Sequence, residues 1–293
     1  MSDNSRAALL ALISVALMSL AWAVTKAAVV EYHVLQVLFF RQAIVLSSTL
    51  PQIKRHFPES LKTKQPLLHG LRLIGAFVGL SCSIWAVSLL PLTTATTLGF
   101  NQTFFMAILA ALFLSEHVGV HRIGAITVGF IGVLIVVRPG GEGLASIGVM
   151  AAIAGALGAA VAFTCVKILS QTESTATLLA YQTIVIGSVA ATSMLWFWKT
   201  PDLTGWMLLM GVGLLSAPAQ WIGVTAVRLG ESSLLANIQY SKLIYAGILG
   251  YLFFNEVPDR FTVLGACVII ASAFYIFHRE ATRARGERVK INY

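Results

Sequence analysis

Charge is what this sequence has least of. Only 11% of its 293 residues are Asp, Glu, Lys or Arg, against roughly 25% in an ordinary soluble domain, while 57% are hydrophobic. No soluble core could hide that much apolar surface, so a soluble globular fold is excluded. Cysteine is scarce too. Cys82, Cys165 and Cys267 fall inside apolar runs with no CxxC spacing, which excludes a disulfide framework and leaves small, polarizable packing residues. No HExxH, GxSxG, GxxxxGKS/T or GxGxxG occurs, and the six histidines lie at the ends of apolar runs or between them. No Ser-His pair at matching depth suggests an intramembrane protease, and no residue set suggests a metal, nucleotide or other cofactor. The chain does not read as an enzyme.

What is present is length in the apolar runs. A spanning helix takes about 20 mostly apolar residues, and ten such stretches follow one another: about 6–29, 34–51, 68–90, 92–115, 121–138, 145–169, 176–198, 203–229, 233–255 and 259–278. This predicts an all-α integral membrane protein with the lipid bilayer as its surroundings. The net charge of +8 raises the question of nucleic acid, and its placement answers it. With the N-terminus in the cytoplasm, fourteen Lys and Arg residues fall on the inner side, Arg6, Arg72, Lys167 and the basic tail among them. Four fall on the outer side: Lys26, Arg138, Lys199 and Arg260. That bias places both termini in the cytoplasm, and no nucleic-acid partner is needed. The N-terminal run, with Arg6 before it and Ala21-Trp22-Ala23 at its end, has the look of a signal peptide. Its internal counterpart (GALGAAVAFTCVK against VALMSLAWAVTK) identifies it instead as the first transmembrane helix.

The chain is written twice, about 140 residues apart. At an offset of 140, Leu38, Gln42, Ile44, Val45 and Ser48 recur as Leu178, Gln182, Ile184, Val185 and Ser188, and Ile108, Leu109, Phe113 and Glu116 as Ile248, Leu249, Phe253 and Glu256. At 141, Lys26 recurs as Lys167, Gly124-Ala125 as Gly265-Ala266 and Arg138 as Arg279. Residues 1–140 and 141–280 thus form two five-helix repeats, with 281–293 a basic cytoplasmic tail. Five is odd, so the second copy enters the membrane from the opposite side. The fold expected is ten transmembrane helices as two inverted five-helix repeats, with a substrate site near the midplane between them and access alternating as one rocks against the other. A duplicated packing scaffold without a pathway is the competing reading.

The motifs narrow this further. Each fourth span ends in Glu (FLSE at 113–116, FFNE at 253–256), and each fifth opens on Gly-Ala (GAITVGFIGVLIVVRP, GACVIIASAFYIF). In this, over roughly residues 6–279, the chain resembles the EamA branch of the drug/metabolite transporter superfamily and is similar to its bacterial YddG-type amino acid exporters. The resemblance implies a ten-helix basket in the bacterial inner membrane, with a cavity lined by spans one to four and six to nine and with peripheral fifth and tenth spans. It also implies outward transport of amino acids, aromatic ones included, by a chain that works as a monomer. Gly124, Gly129 and Gly132 suit close helix packing in the fifth span. Glu116 and Glu256 sit at helix ends and are expected to organise turns there. Small multidrug relatives use a Glu in the first helix to exchange lipophilic cations for protons; none stands in this first helix, which disfavours that mechanism.

Charges at the bilayer centre are expensive and functional by default, at about 2.5–3.5 kcal/mol for each Lys or Arg. Arg41 in the second span and Lys242 in the ninth sit at mid-depth, while all twelve acids lie in loops, in tails or at helix ends. Either these cations hold a substrate carboxylate, or helix carbonyls and neighbouring amides satisfy them and Arg41 snorkels along its helix. The fourth and ninth spans, TTATTLGFNQTFF and SSLLANIQYSKLIY, are the most polar. Thr97, Asn101 and Phe104 share one helical stripe, Asn237, Tyr240 and Ile244 another, and Gln239 lies near Lys242. Amides, hydroxyls and rings of this kind would line a cavity for a small amphipathic ligand or bond helix to helix. Trp22, Trp85, Phe163, Tyr181 and Trp221, with Gln182 and Gln220, complete the candidate lining; core or lipid-facing packing is the alternative for the aromatics. Trp196, Trp198 and Trp206 read as interfacial anchors, and Pro218 is expected to kink the eighth span.

The preferred reading is a secondary exporter of amino acids and related metabolites. A transporter of another organic anion, such as a nucleotide sugar or organic phosphate, and a non-transporting scaffold or sensor subunit are the alternatives.

Overall fold

The computed structural model describes residues 3–55, 63, 65–113, 120–138, 146–170, 172–229 and 238–291. All regular structure among them is helical, since backbone groups in hydrocarbon must find partners within their own segment. The helices are α1 (Asp3–Ala28), α2 (Val34–Arg55), α3 (Pro66–Leu89), α4 (Leu92–Gly99), α5 (Asn101–Phe113), α6 (Val120–Val137), α7 (Ser146–Leu169), α8 (Thr175–Phe197), α9 (Leu203–Leu229), α10 (Ser241–Phe254) and α11 (Arg260–Ile291). Six of them, α1, α2, α3, α7, α8 and α9, are long and apolar enough to cross a bilayer; shorter apolar helices cover Gly124–Val137, Ser241–Phe254 and Arg260–Tyr275. Leu195, Met150 and Ile74, each more than 60% exposed, show the apolar outer surface that a bilayer covers.

Local chemistry sets the helix ends. Pro66 stands in the first turn of α3, where its missing N–H costs nothing. Ser174 caps α8 by accepting from the Thr177 N–H at 3.1 Å, and Asp259 caps α11 by accepting from the Thr262 N–H at 2.7 Å. Asn255 ends α10 in the left-handed region (φ 53°), letting the Glu256 N–H reach Gly250 O at 3.0 Å and satisfy a carbonyl that the helix end leaves open.

One expectation changes. The stretch 92–115 begins as two helices rather than one: Phe100 separates α4 from α5, and the Asn101 side chain donates to Leu98 O across the break at 2.8 Å. Short amides compete with the backbone in this way. At Pro218, α9 continues as a single helix from Leu203 to Leu229. The basic segment 281–291 extends α11.

The main packing pairs are α3 with α7, α1 with α9, α6 with α11 and α2 with α8. Each joins a helix from residues 1–140 to one from 141–280. Exchanging the halves turns the α3–α7 pair into the α9–α1 pair and returns each of the other two to itself. Small residues permit the closest approaches: a Cβ on Gly158 would lie 2.6 Å from Gly79 N and 2.7 Å from Gly75 O, and one on Gly132 would lie 3.0 Å from Gly265 O. Gly129 leaves room for the Phe104 ring, but Gly124 has nothing within 4 Å of a Cβ and contributes no close packing. It sits on an exposed face of α6.

Polar contacts fix which ends lie together. Lys26 at the end of α1, Leu90 after α3 and Glu256 after α10 meet at one end of the bundle. Thr63, ahead of α3, and His69 in its first turn meet Glu173, beyond α7, at the other. Counterparts in the sequence, α1 and α7 therefore finish at opposite ends.

Candidate substrate site

Arg41 is held between α2 and α9 with 8% of its surface exposed. Its Nε donates to Ser216 Oγ at 3.3 Å, and an Nη to Gln42 Oε1 at 3.5 Å. Both bonds are long and both partners are neutral. No ion pair reaches Arg41 among the described residues. Gln42 is itself buried, and its Nε2 has no partner. On the same helix pair, the Trp221 Nε1–H donates to Ser48 Oγ at 3.3 Å. A buried cation without a counter-charge costs several kcal/mol, and a bound anion would remove that cost.

Lys242 stands half-buried in the first turn of α10, with no hydrogen bond or ion pair among the described residues. Two residues before it, the Tyr240 ring lies 5.6 Å from that of Phe100, at the break between α4 and α5. Both pack with Trp22 against a core cluster that includes Phe104. Trp22 also packs against a second cluster, around Leu38, Ile84 and Ile186, so it lies where the two cores meet.

Gln182, the repeat counterpart of Gln42, also binds an arginine, though from another helix. Its Oε1 accepts from Arg72 of α3 at 3.0 Å, while the Arg72 guanidinium also donates to Leu178 O at 3.0 Å. The Tyr181 ring packs 4.5 Å from the His69 ring. His69 Nε2 lies 2.5 Å from Glu173 Oε2, and Thr63 Oγ1 donates to Glu173 Oε1 at 2.5 Å.

Several candidates fall elsewhere. Phe104 is buried against Gly129 of α6, which makes it a packing contact to that helix. Asn101 is spent on its own backbone. Trp85 and Phe163 are 46% and 54% exposed, and Gln239 is exposed as well. Ile244, on the expected Tyr240 stripe, is also exposed. Gln220 is half-buried without a recorded partner, and Asn237 lies outside the described residues, as does Glu116. A shallow apolar groove of about 520 Å³, lined by Cys267, Ile270, Ala271, Phe274 and Tyr275 of α11, includes none of the candidates.

The expectation that Glu256 organises a turn understates what it does. Lys26 Nζ lies 2.5 Å from Glu256 Oε1 and donates to Leu90 O at 2.6 Å, while the Leu92 N–H donates to Glu256 Oε2 at 2.8 Å. One carboxylate thus ties α1, the α3–α4 link and the end of α10. A sequence signal for it existed, since both charges recur in the repeat, as Lys167 and Glu116. At Asp259, burial alone would raise the carboxyl, but the Thr262 bonds and Arg138 outweigh it and hold the group below its ordinary value. This stabilisation is present above the ordinary carboxyl range of about pH 4 and is lost as pH falls through the lowered folded value. Asp259→Asn should therefore cost about 0.5 kcal/mol at pH 7, discounted for exposure. The gap to the parent protein in detergent unfolding should close at an acid pH below the lowered folded value. A gap equally wide at both pH values would contradict it.

The helices define a multi-pass membrane protein with buried cations at its helix interfaces. It belongs to the EamA-like transporter family, whose profile matches residues 5–138 and 146–278, within the drug/metabolite transporter superfamily; it is a transporter and not an enzyme. It is 29% identical over 252 residues to the S-adenosylmethionine uptake transporter of Rickettsia bellii (strain RML369-C), covering 85% of each chain. It is 30% identical over 249 residues to the riboflavin transporter of Vibrio cholerae serotype O1, covering 84% of this chain and 83% of that one. The pseudopaline exporter of Pseudomonas aeruginosa is 25% identical over 239 residues, 81% of this chain and 84% of its own. A solved crystal structure superposes with a TM-score of 0.65 over 93% of this chain and 96% of its own. At 17% identity, that likeness concerns the fold alone.

Proposed function

We propose that this protein moves small carboxylate-bearing metabolites of the amino-acid class across the bacterial inner membrane, by alternating access in a fold of two inverted five-helix halves. The observation that carries the reading is Arg41: a buried guanidinium offered only a hydroxyl and an amide lacks the charge that a carboxylate brings. Lys242, from the other half, is a second cation with no hydrogen bond or ion pair among the described residues. Trp22, Phe100 and Tyr240 supply apolar walls for a side chain or ring. The opposite finishing ends of α1 and α7 support the inverted arrangement, in which both termini are cytoplasmic and the chain works as a monomer.

The relatives bear on the substrate. S-adenosylmethionine is an amino-acid derivative with a free carboxylate; riboflavin carries none and serves as the discriminating probe. Uptake and export both occur among the relatives' names, so outward transport rests on the likeness to YddG-type exporters. A phosphate-bearing solute is less well served, because phosphate recruits several converging cations and no contact joins Arg41 to Lys242.

Counterflow in proteoliposomes tests this with radiolabelled aromatic and aliphatic amino acids, S-adenosylmethionine and riboflavin. At least one carboxylate-bearing probe is expected to exchange. Arg41→Met and Lys242→Met are each expected to slow it about tenfold, the equivalent of about 1.4 kcal/mol. Undiminished transport in both variants would sink the reading. Absence of counterflow with every probe would point to the scaffold alternative.

A further inference from the structure

We propose that the coupling ion is the proton and that His69 and Glu173 are its binding site, an inference that rests on the transport reading above. The apolar spans hold no acid in their interiors, yet the fold buries one that the chain order places in a turn. The side chains of His69 and Glu173 are 2% and 4% exposed, with Nε2 and Oε2 2.5 Å apart. Glu173 is the most deeply buried of the acids with a described ion pair: the side chains of Glu256, Asp259 and Glu31 are 19%, 40% and 62% exposed.

The surroundings are polar and charged. Thr63 Oγ1 occupies the other carboxylate oxygen at 2.5 Å. Arg72, one turn along α3, acts electrostatically on Glu173 and on Cys165 of α7, and its guanidinium is anchored on Leu178 O and Gln182 of α8. The Tyr181 ring covers the imidazole from α8. Two buried polar atoms here have no partner among the described residues, His69 Nδ1 and Arg72 Nε. With the Nε2–H donating to the carboxylate, Nδ1 carries a vacant lone pair.

The step balances simply. Hydronium on one side gives a proton to Nδ1 and leaves water, neutral imidazole becomes imidazolium, and the cluster gains one positive charge beside the Glu173 carboxylate and the fixed charge of Arg72. The added charge faces the Glu173 carboxylate, which attracts it, and Arg72, which repels it, so binding of the proton changes what holds the cluster against α8; returning the proton on the other side restores the neutral ring. His69 and Glu173 belong to the α3–α7 pair, while Leu178, Tyr181 and Gln182 belong to α8. A displacement of α8 against that pair therefore covers or uncovers the cluster, which links proton binding to access. Histidine is the side chain whose ordinary titration range makes this possible near neutral pH.

The full chain in proteoliposomes decides the matter, with the counterflow probes above, an imposed pH gradient and a pH-sensitive dye sealed inside. The parent protein is expected to accumulate its probe about tenfold more with the gradient than without it, and to move protons with the probe. His69→Gln and Glu173→Gln are expected to keep counterflow and lose the gradient-driven part, with flat pH profiles between about pH 6 and 8. Counterflow without proton movement in the parent protein overturns the inference and leaves the transport reading standing. So does full gradient-driven accumulation in both variants, or loss of counterflow in variants that unfold at the parent midpoint, which marks the pair as part of the substrate's own pathway. No counterflow with any probe overturns both. Should a variant fail to fold, the dye signal of the parent protein alone decides.

Discussion

Alanine at position 158 is expected to lower the unfolding midpoint sharply, although alanine is the better helix former. The substitution gains about 1 kcal/mol of intrinsic propensity. Against that, its methyl would meet backbone atoms, Gly79 N at 2.6 Å and Gly75 O at 2.7 Å. Neither can rotate away, so the overpacking cost falls near the upper end of its usual range, about 3 kcal/mol. The net loss is about 2 kcal/mol, the difference of these two values. Valine at the same position should cost more, because α3 and α7 would have to separate. Gly124→Ala is the control: with nothing within 4 Å, it should be neutral or stabilising by up to about 1 kcal/mol. Denaturant unfolding in detergent, followed by circular dichroism, measures all three. An unfolding midpoint for Gly158→Ala at or above that of Gly124→Ala would remove the glycine contact as a determinant of the fold.

Breaking the Lys26–Glu256 pair should be at least as damaging. The side chains are 13% and 19% exposed, and removing one member of a buried pair costs about 3–5 kcal/mol; partial exposure places this pair at the low end, about 3 kcal/mol. Lys26→Met leaves Glu256 without its counter-charge and Leu90 O without its donor. The double variant Lys26→Met/Glu256→Met should cost less than the sum of the single ones, as coupled residues do. A charge swap should fail to rescue, because lysine at 256 cannot accept from the Leu92 N–H and glutamate at 26 cannot donate to Leu90 O. Unfolding and counterflow read together decide. A Lys26→Met protein within about 0.5 kcal/mol of the parent, the range of ordinary surface substitutions, would show the bridge to be incidental. So would full rescue by the swap, since it would mean that only the charges matter.

Membrane helices are legible in sequence because the cost of exposing a polar backbone to lipid acts locally. Residue by residue, the run from Arg6 to Ala28 announces its own helix. The break at Phe100 was less legible, since its cause is the Asn101 amide turning back on Leu98 O, a choice that a plain apolar run conceals. Orientation was harder still. The spacing of Thr97, Asn101 and Phe104 predicts one shared face; all three are buried, but the break puts Thr97 on α4 and the other two on α5, and spacing cannot say which neighbour each meets. Phe104 meets α6. Arg41 was legible as a cation without an acid of its own, because the absence of charge around it is itself a sequence pattern. His69 and Glu173 were not, standing 104 residues apart at the ends of spans, where a charged side chain ordinarily finds water.

The glycine crossing of α3 and α7 also settles what can move as a body. These helices come from different halves of the chain, yet their backbones touch. The α1–α9 pair is similarly tight, with Ser14 Oγ donating to Ala219 O at 2.7 Å and Ala7, Ala11 and Ala226 packed together. Contacts across to the α3–α7 pair are sparse. Two rigid blocks result, each built from one helix of either copy, and the plane of slip runs between the blocks, across the boundary at which the gene duplicated. Labels placed on α3 and α7 should keep a constant separation through a transport cycle, while those on α1 and α3 should not.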